Sequence, residues 1–285
     1  GKNMSRTQQA IQEFENTEVE KMSTFDAFLR IPSVSADPEM KLHMQQAAEF
    51  LKSYFEKLGM DEVGIYPTDL NPVVFAEKRS SLPDAKTLLI YGHYDVQPPD
   101  PLDSWLTPPF EPTIRGQNLY ARGSSDMKGQ IMATIFALES VLKTGELPIN
   151  IKFILEGEEE IGSPSLDDFI RDNADLLKCD MILNPDAGMI DKDHPTIVFG
   201  LRGLVYFEVR IDGPKMDLHS GLFGGIVSNP ANVLAKIIAQ LHNPDGSVAI
   251  PGFYDRVRPL TDEDRKRIAM NPTSEADFQI GRAHV

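Results

Sequence analysis

The chain has 285 residues, 41% hydrophobic and 25% charged, enough for one large or two ordinary domains with a substantial core. Its 28 Lys+Arg against 43 Asp+Glu leave a formal net charge of −15, a field that repels phosphate backbones and argues against nucleic acid as a partner. The single cysteine, Cys179, excludes an internal disulfide and any cysteine-rich zinc motif, and is expected to pack as a small core residue.

The opening stretch "GKNMSRTQQAIQEFE" is polar and acidic, unlike a secretion signal, and "GKN" is expected to precede the native start at Met4. No apolar run approaches the roughly 18 residues of a membrane span, so a cytoplasmic protein is expected. Apolar residues then recur at helical spacing until Pro32 ends the pattern. "DPEMKLHMQQAAEFLKSYFEKLG" predicts a second helix, with Asp37 as N-cap, Pro38 at N1 and Gly59 as the stop. "NPVVFAEKR", "KTLLIYG" and "NLYARG" read as strands, and "DMKGQIMATIFALESVLKTG" as a third helix. Next come "INIKFILEG" (strand), "SPSLDDFIRDNADLL" (helix) and "CDMILNPD" (strand). Apolar strands alternating with helices predict an α/β fold, a three-layer sandwich around a mixed central sheet. After Gly200 the texture changes: "GLVYFEVRIDGP" alternates like a half-exposed antiparallel strand, and "NPANVLAKIIAQLH" follows as a one-faced helix. A boundary is therefore expected near residue 200, giving a first domain over 1–200 and the start of a smaller α+β domain over 201–285.

Four polar clusters sit just after strands or at a helix start: His93 and Asp95, Asp126, Glu159 and Glu160, and Asp186. Each has a plain structural reading. Asp126 would serve as a helix N-cap, "EGEEE" as a solvated turn, and Asp186 as an Asx-turn before Gly188. Their shared topological position argues otherwise, because open α/β sheets gather their ligands at the carboxyl ends of strands. Imidazole with carboxylates and no thiolate suits Zn²⁺ or a similar divalent ion. Asp95, two residues from His93 on an extended segment, points the same way and can accept the spare imidazole N–H. Consecutive Glu159 and Glu160 cannot both face one way there, so one is expected to hold metal and the other to handle a proton.

"GHYDVQP", "ARGSSDMKGQ", "EGEEEIGS", "GLRG" and "DLHSGLFGG" together resemble the dinuclear zinc amidohydrolase family of carnosine dipeptidases, aminoacylase, carboxypeptidase G and succinyl-diaminopimelate desuccinylase. The likeness is to the carnosinase-like dipeptidase branch and runs from about residue 20 to about 260. It implies a catalytic domain followed by a lid and dimerisation domain, with two divalent metal ions, Zn²⁺ first and Mn²⁺ or Co²⁺ as alternatives. It further implies His93 on one metal, Glu160 on the other, Asp126 bridging and Asp186 completing the first site. Glu159 falls at the general base and Asp95 at the histidine's orienting partner. His219 matches a lid histidine that reaches the active site of the partner in a homodimer; on sequence alone it reads as a loop histidine. The bridging role of Asp126 makes an unusual backbone expected there, a cis peptide to Met127 being one form.

The resemblance also marks a departure. Family members continue past the lid and take a last metal-binding histidine from the returning catalytic domain, for which His242 and His284 come too early. The final six residues, "IGRAHV", are what ATCGGAAGAGCACACGTC encodes, part of a common sequencing adapter, so residues 280–285 are expected to be non-native. The function implied is hydrolysis of a dipeptide or similar small amide, with small peptides or N-acyl amino acids as partners and neither nucleic acid nor membrane. The alternatives are an N-acyl-amino-acid deacylase of the same family and, for the chain as it stands, a catalytically incompetent metal-binding fragment.

Overall fold

The computed structural model describes residues 4–272; residues 280–285 and His284 lie outside them. The chain divides between Gly188 and Met189 into two compact units, whereas the change in sequence texture lies near residue 200.

The first unit opens with helix α1 (Arg6–Leu29), started by a capping box between Ser5 and Gln8. Asp37 caps a short 3₁₀ turn at Pro38–Met40, its side chain accepting from the Glu39 amide, and α2 (Lys41–Lys57) follows directly. Gly59 ends that segment with a φ of 73°, a left-handed conformation that favours glycine. Seven strands come next in chain order with two helices among them. They are β1 (Glu62–Tyr66), β2 (Val73–Lys78), β3 (Thr87–His93), β4 (Thr113–Arg115), β5 (Asn118–Tyr120), α3 (Lys128–Leu142), β6 (Asn150–Glu156), α4 (Leu166–Asp172) and β7 (Met181–Leu183). Five strands form one sheet in the order β1-β2-β6-β3-β7. β3 runs parallel to both β6 and β7, while β1 and β2 add antiparallel pairs, so the sheet is mixed as expected. "NLYARG" does form a strand, but β5 pairs only with β4 in a separate two-stranded ribbon.

The period of two along the strands divides the side chains between two cores. Val74 and Ala76 of β2, Ile90 of β3, and Ile151, Phe153 and Leu155 of β6 pack with α1, α2 and α3. Val73, Phe75, Leu89 and Ile154 point to the other face and meet Phe169 of α4. Helices therefore cover both faces, which is the three-layer arrangement. Cys179 is exposed rather than buried, because it lies just ahead of β7, the edge strand of the sheet among the described residues.

The second unit contains α5 (Ser220–Phe223), α6 (Pro230–Ala239) and α7 (Asp262–Ala269). Asn229 caps α6 with Pro230 at its first position, and a capping box between Thr261 and Asp264 starts α7. The strand expected in "GLVYFEVRIDGP" does not form. A strand exists only as a partner in a ladder, and among the described residues no named strand lies in this unit; Tyr206 and Phe207 are exposed. No helix among the described residues is long and apolar enough to cross a membrane.

Candidate metal centre

The parallel strands bring the polar clusters to one rim. In register, His93 at the end of β3 stands beside Glu156 at the end of β6, and Ile90 beside Leu183 at the end of β7. Each chain then turns off the sheet carrying Asp95, Glu159 with Glu160, and Asp186. Asp126 arrives from the connection between β5 and α3, and its peptide bond to Met127 is cis. Close approach at the rim requires Gly157: a Cβ there would stand 2.5 Å from the ring and hydroxyl of the fully buried Tyr94.

His93 is fully buried. Its Nε2 faces three carboxylates: Asp126 Oδ1 at 3.2 Å, Asp186 Oδ2 at 3.6 Å and Glu159 Oε2 at 3.8 Å. Its Nδ1 lies 3.0 Å from the main-chain oxygen of Asp95 and 3.3 Å from Asp95 Oδ1. Nδ1–H can therefore donate to Asp95, leaving Nε2 with a free lone pair aimed at the carboxylates. The nearer acceptor is the carbonyl, and the Asp95 carboxylate has further partners. It accepts from Ser35 Oγ at 2.6 Å and from the amides of Glu159 and Glu160 at 3.2 and 3.0 Å. One side chain thus orients the imidazole and pins the turn that carries both glutamates. Gln97 Nε2 donates to Glu160 Oε2 at 2.6 Å. Ligand atoms of His93, Asp126 and Glu160 all lie within 4.8 Å of one another.

The plain structural readings give way at three of these positions. Met127, not Asp126, is the N-cap of α3, and no side chain caps it. In "EGEEE", Glu156 and Glu158 are buried. The local bond at residue 186 runs from its amide to Asn184 Oδ1, so Asn184 makes the turn and the Asp186 carboxylate stays free for the site.

Burial raises the pKa of Glu159, Glu160 and Asp186, and neighbouring carboxylates raise each further. Burial opposes a proton on His93, but Asp95 and Asp186 outweigh it and carry the pKa to about 9. Several carboxylates crowd one imidazole. A divalent ion would relieve that repulsion and displace the imidazole proton, so the donor set fits a metal.

The model of the family described as peptidase family M20/M25/M40 matches residues 89–274. The chain belongs to this family. Among relatives of this M20 chain, the Cys-Gly metallodipeptidase of Schizosaccharomyces pombe is 38% identical over 244 residues, 81% of this chain and 51% of that protein. The human Beta-Ala-His dipeptidase is 40% identical over 196 residues, covering 68% and 38% respectively, in keeping with the carnosinase-like branch. An M20 family metallo-carboxypeptidase from Sulfolobus solfataricus superposes with a TM-score of 0.78 at 42% identity, over 93% of this chain and 60% of that one. The chain spans about half the length of the Schizosaccharomyces pombe relative.

The structure brings His93, Asp95, Asp126, Glu159, Glu160 and Asp186 of this M20 chain together; His219 belongs to the second unit. There it is the N-cap of α5, and its Nδ1 accepts from the Gly221 amide at 3.0 Å. Sequence reasoning missed the supporting residues Ser35, Gln97, Lys128, Glu156 and Glu158. No local signal marked the two glutamates: β6 ends at Glu156 and the chain passes through Glu158 into a 3₁₀ turn, so no strand period runs through them.

Lys128, two residues after Asp126, is fully buried and donates to the main-chain oxygens of Phe28 and Ile31 at 3.1 and 2.7 Å. Burial lowers its pKa to about 7, against a smaller upward pull from Asp95. Between that value and the ordinary lysine range the unfolded chain holds more protons than the folded one, so stability rises with pH. Urea midpoints of the wild type are expected to gain on those of Lys128→Met from pH 7 to pH 9. Parallel midpoints would show that Lys128 titrates normally. Phe28 O also accepts from the Ile31 amide, and Ile31 O from the Ser33 amide, so the substitution would orphan neither oxygen.

Proposed function

We propose that these residues form the metal centre of a dipeptidase-type hydrolase that cleaves a dipeptide or similar small amide, acting as a homodimer in a polypeptide of the relatives' length. The observation that carries this is the convergence of one buried imidazole with the carboxylates of Asp126 and Glu160 within 4.8 Å, with Glu159 alongside. The names of the relatives, Cys-Gly metallodipeptidase and Beta-Ala-His dipeptidase, supply the substrate class. His93, Asp126 and Asp186 would hold one divalent ion, and Asp126 and Glu160 part of a second. Such ions, Zn²⁺ before Mn²⁺ or Co²⁺, supply Lewis-acid activation of water and of the amide carbonyl.

The chain's own residues handle the proton and the alignment. Glu159, whose pKa burial has raised, takes a proton from the attacking water on a carboxylate oxygen and returns it to the leaving amine nitrogen. Asp95 keeps His93 Nε2 aimed at the carboxylates and holds the Glu159 and Glu160 amides still. His219 is proposed, from the family motif, to stabilise the carbonyl oxygen of a partner copy's substrate as it gains charge.

A polypeptide of the relatives' length, stripped of metal and resupplied with Zn²⁺, Mn²⁺ or Co²⁺, tests this reading. Turnover of Cys-Gly or β-Ala-His is expected only with metal, and faster than turnover of N-acetyl or N-succinyl amino acids. The opposite preference would make the protein a deacylase, and metal binding without turnover of either class would make it a binding module. A His219→Ala variant working at the wild-type rate would remove that residue's role.

A further inference from the structure

Glu158 is the glutamate of "GEEE" that the chemistry above leaves unused. It is 2% exposed, a charge-bearing group withdrawn from water one residue before the proposed base. A carboxylate is buried at such a position only against donors that repay its desolvation. Its Oε2 accepts from the Asn71 amide at 3.0 Å and its Oε1 from the Ser165 amide at 3.2 Å; Thr68 Oγ1, also 3.0 Å from Oε2, shares its one proton with the nearer Asn71 O at 2.6 Å. Asn71 adds a bond from Nδ2 to Gly157 O at 3.0 Å. The main-chain oxygen of Glu158 accepts from the amides of Ile161 at 3.1 Å and Ser163 at 2.8 Å, closing the turn.

These bonds come from opposite sides of one short turn, Glu159–Ile161. On one side the Asp95 carboxylate holds the Glu159 and Glu160 amides. On the other, Glu158 ties the turn to the segment between β1 and β2 and to the start of α4. A turn fixed at one side only can pivot, and its glutamate side chains would sweep with it. We propose that Glu158 is a positioning residue: with Thr68 and Asn71 it clamps the 159–161 turn so that Glu160 meets His93 and Asp126 while Glu159 stays beside them. The inference rests on the metal-centre reading above for its consequence, but the clamp itself is a statement about the turn.

The donor pattern makes a sharp substitution available. Both carboxylate oxygens face donors, and a carboxylate has only acceptors to offer. In Glu158→Gln the amide nitrogen must therefore point at a donor whichever way it turns, either at Thr68 and Asn71 or at Ser165. Thr68→Val is milder: it removes the hydroxyl shared between Asn71 O and Glu158 Oε2, loosening the 68–71 arm of the clamp and leaving the carboxylate in place. Lys152→Met serves as control. Lys152 is also buried, and its Nζ donates to the main-chain oxygens of Leu176 and Lys178, so its loss should lower stability without touching the turn.

Two readouts on the 285-residue chain decide the matter. The first is hydrogen exchange, without metal, of the peptide spanning residues 157–165. Protection of the Glu159 and Glu160 amides is expected to fall in Glu158→Gln and Thr68→Val and to hold in Lys152→Met. The second is a titration with Co²⁺ followed by its visible absorption. Loss of an orienting contact behind a ligand costs about 10–100-fold in metal affinity, so Co²⁺ binding is expected to weaken by about that factor in Glu158→Gln, with an altered spectrum. Lys152→Met is expected to match the wild type. Unchanged exchange and unchanged Co²⁺ affinity in the variants that fold would overturn the clamp; if Glu158→Gln does not fold, Thr68→Val alone decides. A wild-type chain that does not bind Co²⁺ would sink the metal-centre reading instead, and the exchange data would still judge the clamp.

Discussion

Glu159→Ala is expected to cut kcat for dipeptide hydrolysis by about 10²–10⁴-fold, the range a positioned general base supplies, while metal content stays at the wild-type level. Glu160→Ala is expected to lose both activity and metal. The two side chains are consecutive, both partly buried, and both have pKa values raised by burial, so titration alone does not tell them apart. Geometry does. Glu160 joins His93 and Asp126 in the group whose ligand atoms lie within 4.8 Å, and Gln97 holds its Oε2. Among the described residues no side chain hydrogen-bonds the Glu159 carboxylate, whose Oε2 stands 3.8 Å from His93 Nε2, a position that suits the proton-carrying role proposed for it. Metal analysis and steady-state kinetics on the two variants, in a polypeptide of the relatives' length, would separate the roles. Equal metal content with equal activity would refute the division. A Glu159→Ala variant that loses metal would reverse it.

The sequence divided Glu159 from Glu160 by the rule that adjacent residues on an extended segment face opposite ways, but the two open a 3₁₀ turn, Glu159–Ile161, where that rule does not apply. The rim itself was legible. His93, Glu159 and Asp186 each follow an apolar run, and strand order matters little when parallel strands end together. Burial of Glu156 and Glu158 was not legible. Nothing local distinguishes them from Glu159, and their partners, Tyr91 and Ser163 for Glu156, Thr68 and Asn71 for Glu158, come from other segments. Ser35, which donates to Asp95 across 60 positions of sequence, was hidden for the same reason. Residues 203–214 failed in the other direction: their alternation is real, but alternation describes a strand's faces and cannot provide the strand it must pair with. Cys179 was placed inside on residue type, whereas the edge position of β7 put it outside.

Zinc titrated into the 285-residue chain is expected to bind nearer one ion than two per chain, and removing His93 should abolish tight binding altogether. The two carboxylates nearest His93 Nε2 are Asp126 at 3.2 Å and Asp186 at 3.6 Å, with Glu159 beyond them at 3.8 Å. One nitrogen and two carboxylates give the three protein ligands with which zinc commonly leaves a position open for water. Among the described residues, a second ion would have Glu160 and a share of Asp126, two oxygen donors without an imidazole of its own. Zinc and its neighbours in the first transition row favour imidazole over carboxylate alone, so that half of the centre should fill only weakly. His93→Ala removes the one imidazole that the described residues bring to this rim and leaves partly buried carboxylates whose pKa values are raised first by burial and then by one another. Calorimetry with metal analysis after dialysis reads both numbers. Two tightly held ions in the wild-type chain would mean that a further donor takes part, and tight binding that survives in His93→Ala would place the ion somewhere other than this rim.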